Sequence, residues 1–156
     1  LYQAEVIGQS LSTGQIEQYY RYQRAMKQAT TALDSLRTLL TDTDVLMLVC
    51  EVEGKLAGNC QLDLNRWRKT RHRGQVAIAL LKDYWGLGIG TAMFKEMIEK
   101  ARQEKLEQLE LEVIEGNQRA IGLYHKMGFV CIGEKPNAIR LEDGSSLKEL
   151  MMVKVL

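Results

Sequence analysis

Gly86, Gly88 and Gly90 stand between an apolar segment ending near Leu81 and an amphipathic segment that opens near Thr91. Alternate glycines let several backbone N–H groups converge with no Cβ in the way. The N-terminus of the following helix adds about half a positive charge. Such a turn suits a phosphate or pyrophosphate, although glycines that merely relieve a tight strand-to-helix turn explain the same residues. The spacing limits the ligand. No Lys-Ser/Thr follows the glycines, as the phosphate loop of nucleotide hydrolases requires. Gly90 is followed by Thr91, Ala92 and Met93, so the dinucleotide signature GxGxxG is not present either, and the chain is too rich in strands for its βαβαβ setting.

The other reactive side chains are scattered. His72 and His125 have no second ligand at useful spacing, and neither reads as a metal site. Cys50, Cys60 and Cys131 are an odd number with no CxxC or Cys/His pattern, which suits buried thiols in a reducing compartment. No Cys–His pair reads as an activated nucleophile. Tyr124 falls on the apolar face of a helix, where periodicity alone makes it a core aromatic. Glu112 alternates with Glu110 on a strand and by itself reads as a solvated position. Arg66, Arg68, Lys69, Arg71, His72 and Arg73 read as a solvated hairpin connection. RNA contact has little support, since only Trp67 interleaves with those cations.

The elements that must position these residues follow from periodicity. Val6-Ile7 ends a short first strand, and helical spacing runs from Gln15 to about Leu40 with a break near Thr30-Thr31. Tyr19, Tyr20, Tyr22 and Arg24 lie on these early helices. Val45–Cys50 and Leu56–Leu64 form a hairpin across Glu53-Gly54-Lys55. A third strand spans Gln75–Leu81, the helix after the glycine loop carries Met93, Phe94, Met97, Ile98 and Ala101, and Leu109–Val113 alternates as a strand. Asn117 caps a helix with Ala120, Leu123, Tyr124 and Met127 on its apolar face and Gly128 at C′. Phe129–Ile132 and Leu147–Val155 are strands with an Asp143-Gly144 turn between their extensions. The pattern is α+β, a central mixed and mostly antiparallel sheet of six to seven strands with about four helices.

The spacing Asn117-x-x-Ala120-x-x-Leu123-Tyr124-x-x-x-Gly128-Phe129, after the strand bearing Glu112, joins Ile78-Ala79-Leu80 and Gly88-Ile89-Gly90 in one combination. It resembles the GNAT superfamily of N-acetyltransferases from about Gln75 to Phe129, with compatible elements on both sides. One position departs: the family's loop usually begins with Gln or Arg, and here Trp85 stands there. Backbone contacts to phosphate do not depend on that side chain, whereas a side-chain contact would.

The resemblance implies a GNAT fold whose sheet splays between the fourth and fifth strands, with acetyl-CoA entering the V between Gln75–Leu81 and Leu109–Val113. Ile78, Ala79 and Leu80 would meet the pantetheine arm and thioester through backbone groups, one amide stabilising the oxyanion of a tetrahedral intermediate. The loop amides of Gly86, Leu87, Gly88, Ile89, Gly90 and Thr91 would take the pyrophosphate. Asn117, Ala120 and Tyr124 would line the pantetheine arm. Tyr124 matches the general acid for the leaving thiolate. Glu112 matches the base used by the branch that acetylates ribosomal-protein N-termini. In an apolar cleft its pKa would rise, which helps a base near neutral pH. The early helices would wall the acceptor pocket. The basic stretch gains a sharper reading here, attraction of an acidic substrate or of the CoA 3′-phosphate.

The implied function is acetyl transfer from acetyl-CoA to a primary amine by direct attack, with no metal. The acceptor is a small amine or a protein N-terminus. A different class, a sensor of the same fold that binds acyl-CoA without turnover, is the alternative. The chain has 156 residues, 46% hydrophobic and 26% charged, with a formal net charge of +1. These values describe one globular domain, residues 1–156, without a global field for nucleic acid or an anionic membrane. No apolar run approaches bilayer length and Leu1–Glu5 carries no leader pattern, so a cytoplasmic protein is expected. Met151 and Met152 would join a homodimer interface if the final strand paired with a second subunit.

Overall fold

The computed structural model describes residues 3–6 and 44–156. Their order is β1 (Gln3–Val6), β2 (Val45–Val52), β3 (Lys55–Leu64), β4 (Arg73–Leu80), α1 (Ile89–Gln103), β5 (Gln108–Ile114), α2 (Gln118–Lys126), β6 (Val130–Arg140) and β7 (Ser146–Val155), with a single 3-10 turn at Lys82–Tyr84. All seven strands share one sheet in the order β1-β2-β3-β4-β5-β7-β6. Two α-helices lie among the described residues, and the early helices expected between Gln15 and Leu40 fall outside them, as do Tyr19, Tyr20, Tyr22 and Arg24. No helix among the described residues is long and apolar enough to cross a membrane.

Each neighbouring pair runs antiparallel except β4 and β5. That parallel pair is held at only three positions, Arg73↔Gln108, Gly74↔Leu109 and Gln75↔Glu110. Beyond Gln75 the two strands no longer pair, while β4 stays paired with β3 out to Leu80 and β5 with β7 out to Ile114. The expected splay between the fourth and fifth strands is there.

One face of the sheet packs against α1, while Met47, Val49 and Asn59 are buried on the other. Leu48, Cys50, Cys60, Leu62, Val76, Leu109, Leu111, Val113 and Met152 meet the apolar stripe of α1, in which Ile89, Met93, Phe94, Met97, Ile98 and Ala101 recur at helical spacing. Cys50 and Cys60 are buried free thiols, but Cys131 is exposed, because β6 is the edge strand and its alternate residues Val130 and Ile132 also face solvent.

Two other expectations change with the topology. The final strand lies inside the sheet, between β5 and β6, so both of its edges are occupied and it has none to offer a second subunit. Met152 is buried within this chain's own core. The basic stretch forms the turn between β3 and β4, with Trp67 79% exposed, Arg66 paired with Asp44 and Arg73 paired with Glu110 at 2.8 Å. It therefore lies at the opposite end of β4 from Leu80, roughly 20–25 Å away along the strand. The stretch thus stands as the solvated hairpin connection, at the end of β4 away from the glycine loop.

Gly58 lies opposite Leu80 in the β3–β4 ladder, and a Cβ there would overlap the Ala79 carbonyl oxygen and the Leu80 side chain. Gly58→Ala is expected to push the end of β4 outward and to cost about 1–3 kcal/mol. Urea unfolding of the variant reads this directly, and an unchanged midpoint would show that β4 yields without strain.

Candidate active site

A cavity of about 420 Å³ opens beside the unpaired end of β4, between the start of α1 and one side of α2. Ile78, Ala79 and Leu80 form one wall. Gly86, Gly88, Gly90 and Thr91 form another, and Asn117, Ala120 and Tyr124 a third. Sequence reasoning thus placed most of the wall, from residues that lie far apart in the chain. The side chains of Leu87 and Ile89 do not line it, Leu87 being 50% exposed and Ile89 packed into the core, so any part they have in the loop lies in their backbone amides. Glu112 is not part of it either.

The glycine loop is shaped by backbone conformation. Gly86 and Gly88 have φ of 80° and 81°, the left-handed region that favours glycine, with open space where a Cβ would stand. Gly88 is the N-cap of α1 and supplies no side-chain cap. The first N–H groups of α1 accordingly have no partner within the helix and no capping oxygen, and they are available to a ligand. Gly90 serves a different purpose. A Cβ on it would come within 3.0 Å of Leu123 Cδ2 and 3.4 Å of Leu80 Cδ1, so it permits close packing of α1 against α2 and β4.

α2 is fixed at both ends by its sequence. The Asn117 Oδ1 accepts from the Ala120 N–H at 3.2 Å, which is an N-cap. At the other end the Phe129 N–H donates to the Tyr124 carbonyl and the Gly128 N–H to the His125 carbonyl, both at 2.9 Å, with Gly128 at φ 87°. This double closure sets the rotation of α2, so that Tyr124 is its one buried residue. The Tyr124 ring lies edge-on to Phe94, centroids 5.5 Å apart, and 6.1 Å from Phe129. Burial, helped by nearby Cys60, pushes its phenol from 10.0 up to about 12.

Glu112 lies elsewhere. Leu109, Leu111 and Val113 face the core that contains Tyr124, so Glu110 and Glu112 project from the other side of the sheet. Glu112 is two residues past the last β4–β5 pair. Its carboxylate accepts from Lys135 Nζ at 2.8 and 2.9 Å, and the same ammonium lies 3.7 Å from Glu149. The bond to Glu112 raises the Lys135 pKa. The apolar cleft expected around Glu112 is thus replaced by a cation on β6, in a half-exposed setting.

Sequence reasoning missed Arg119, Leu123 and Lys126, which also line the cavity, and noted Trp85 only as a departure. Leu123 and Lys126 follow Arg119 at i+4 and i+7, so a helical projection would have put all three on one face. Lys126 Nζ donates to Thr91 Oγ1 at 3.4 Å, linking α2 to the start of α1. The cavity wall therefore holds, among the described residues, two cations and no carboxylate. Among the described residues no three His, Cys, Asp or Glu side chains cluster as a metal site.

The chain matches the model of the acetyltransferase (GNAT) family over residues 11–129. It is 38% identical over 85 residues to an uncharacterized N-acetyltransferase of Methanocaldococcus jannaschii, covering 52% of this chain and 37% of that protein. It is 32% identical over 93 residues to a Bacillus subtilis protein named for alanine N-acetylation of ribosomal protein bS18, covering 60% of this chain and 56% of that one. The chain thus spans well under two thirds of both curated relatives. Among solved structures, an acetyltransferase of the GNAT family from Streptococcus pneumoniae superposes with a TM-score of 0.84 at 23% identity, covering both chains completely. A ribosomal-protein-alanine N-acetyltransferase from Brucella melitensis superposes with a TM-score of 0.82 at 22% identity over 99% of each chain. At such identities these structures speak for the fold.

The raised phenol makes stability depend on alkaline pH. The folded pKa of Tyr124, about 12, exceeds its ordinary 10.0. Its contribution is therefore complete below pH 10 and is lost as pH rises toward 12. Two units correspond to at most about 3 kcal/mol. Cys60, pushed from 9.0 to about 12 by burial, adds a loss of the same sign from pH 9. Tyr124→Phe is expected to lose less stability than the wild type between pH 10 and 12, read from urea midpoints. Parallel decline of the two proteins would refute the buried phenol as the source.

Proposed function

The chain belongs to the GNAT acetyltransferase family, and from that premise we propose that it transfers the acetyl group of acetyl-CoA to a primary amine by direct attack. One observation carries the reading: a single cavity joins the uncapped start of α1, the unpaired end of β4 and the buried Tyr124. The donor set fits the cofactor. Backbone N–H groups of the glycine loop and the cations Arg119 and Lys126 suit its phosphates, and the apolar wall of Ile78, Leu80 and Leu123 suits a pantetheine arm. Bound acetyl-CoA supplies an acetyl thioester. The chain's residues bind it, orient it and manage protons.

Asn117 keeps its carboxamide nitrogen for the pantetheine arm while its oxygen caps α2. Backbone N–H groups alternate edges along β4, and Leu81 donates to Ala57 of β3. Ile78 and Leu80 therefore turn theirs to the free side to orient the thioester and receive charge developing on its oxygen, while Ala79 contributes to the wall without its N–H. Tyr124 is fully protonated at neutral pH. A phenol near 12 holds its proton more tightly than a thiol near 8.5, so its contribution to the departing sulfur is a hydrogen bond more than a completed transfer. Glu112, on the opposite side of the sheet and just past the last β4–β5 pair, is assigned the acceptor's proton, taken directly or through water.

The acceptor assigned is a primary amine, with the α-amine of a peptide N-terminus favoured by the resemblance to the Bacillus protein. An α-amine titrates near 8 and a lysine amine near 10.4. At pH 7.5 roughly a quarter of the first is neutral, against about a thousandth of the second, which lowers the demand on the base. Peptides with free N-termini are expected to outperform lysine and polyamines in thiol-release assays. Tight acetyl-CoA binding with no turnover on any of them would favour a sensor instead.

Two variants test the roles. Tyr124→Phe is expected to lower kcat by about 10- to 100-fold while the acetyl-CoA Kd stays within about twofold; unchanged kcat would leave Tyr124 a core aromatic. Glu112→Gln is expected to lose activity most below pH 7, where few acceptor amines are neutral. A pH–rate profile superimposable on the wild type would remove Glu112 from the role of base.

A further inference from the structure

Trp85 opens the glycine loop at a position where the family usually carries a polar Gln or Arg. Its indole cannot make their contact, because its one polar atom is in use: Nε1 donates to the Leu80 carbonyl oxygen at 3.0 Å. That bond ties the ring to the end of β4 and makes it a fixed plate at the cavity wall. Above the plate stands Arg119 of α2, its guanidinium carbon 4.8 Å from the ring centroid. Among the described residues no carboxylate pairs with Arg119. A guanidinium held over a ring face by cation–π attraction keeps N–H groups free, and its fork matches two oxygens of a phosphate. Lys126, the other cation of the wall, already donates to Thr91.

On the acetyl-CoA reading of the site, we propose that Arg119, stacked on Trp85, binds a phosphate of the cofactor and replaces from α2 the side-chain contact that the loop's first residue cannot make. Arg119 is close to the start of α1, since Trp85 and the loop glycines share its cavity. The backbone N–H groups and the guanidinium thus approach an anion from two different elements. Trp85 acts through Arg119, as a positioning residue: it limits the rotamers of a long side chain before the ligand arrives.

The test uses binding constants for acetyl-CoA, its 3′-dephospho form and S-acetylpantetheine, which lacks every phosphate. Arg119→Ala is expected to weaken acetyl-CoA binding by about tenfold or more and to leave S-acetylpantetheine unaffected. Arg119→Lys should recover part of the loss. Trp85→Leu, with Arg119 intact but unshelved, should fall between wild type and Arg119→Ala. A loss that persists with the 3′-dephospho form assigns the contact to the pyrophosphate, and a loss that vanishes there assigns it to the 3′-phosphate. Either supports the proposal. Equal affinity of wild type and Arg119→Ala for acetyl-CoA would overturn it, as would an equal loss on S-acetylpantetheine, which would make Arg119 a shaping residue. If the wild type binds none of the three, the acetyl-CoA reading falls together with the proposal.

Discussion

Two neighbouring parallel strands that stop pairing after three positions govern the rest of the molecule. Backbone N–H and C=O groups are obligatory hydrogen-bonding partners, and leaving them buried and unpaired is costly. The β5-facing side of β4 beyond Gln75 must therefore open to solvent or meet a ligand. The fold manages this edge from several directions. β3 holds the other side of β4 out to Leu80, Leu81 donates to Ala57, and the Trp85 indole satisfies the Leu80 carbonyl. What remains free is a short stretch of backbone with fixed geometry. A free backbone edge on a rigid strand can orient a thioester without committing a side chain, and no substitution there can remove the donor except proline.

Tyr124 connects this opening to the core. Two closures at the ends of α2, the Asn117 cap and the paired bonds at Gly128, fix where the tyrosine projects. Phe94 and Phe129 then hold its ring. The same burial that makes it a packing residue raises its pKa, so the packing and the held proton have one cause. A phenol held neutral across the physiological range is always ready to donate. It is also slow to give its proton up, and the two properties cannot be tuned separately while the ring stays buried.

The parts legible in the sequence were those with local physical causes. Alternation and 3.6-residue spacing placed the strands from Val45 onward and both described helices, because apolar residues must face the core shared by α1 and the sheet. Asn117 and Gly128 were readable because caps need particular residue types. The three loop glycines looked equivalent but are not: Gly86 and Gly88 need positive φ, whereas Gly90 needs space against Leu123. What failed depends on which strands become neighbours. Lys135 meets Glu112 only because β7 lies between β5 and β6, and nothing near either residue in the sequence announces the pair. The basic turn was conspicuous by composition, yet the direction of β4 carries it away from the cavity.

Charge shows the same difference between composition and placement. A net charge of +1 describes a chain with almost no overall field, but a ligand responds to the charges that line its own site. In the cavity the exposed side of α2 contributes Arg119 and Lys126, the α1 N-terminus adds its partial positive charge, and no carboxylate of the described residues lines the wall. On the opposite side of the sheet β5 presents Glu110 and Glu112, each held by a cation from another strand. The sheet thus separates an anion-accepting side from a side where carboxylates and their partners meet, and the gap between β4 and β5 is where the two communicate. For acetyl transfer from a polyphosphate donor to an amine that must lose a proton, that polarity is the useful one. On the proposed reading, phosphates held at the α1 N-terminus would sit far from the carboxylate that repels them, with the reacting atoms at the divide.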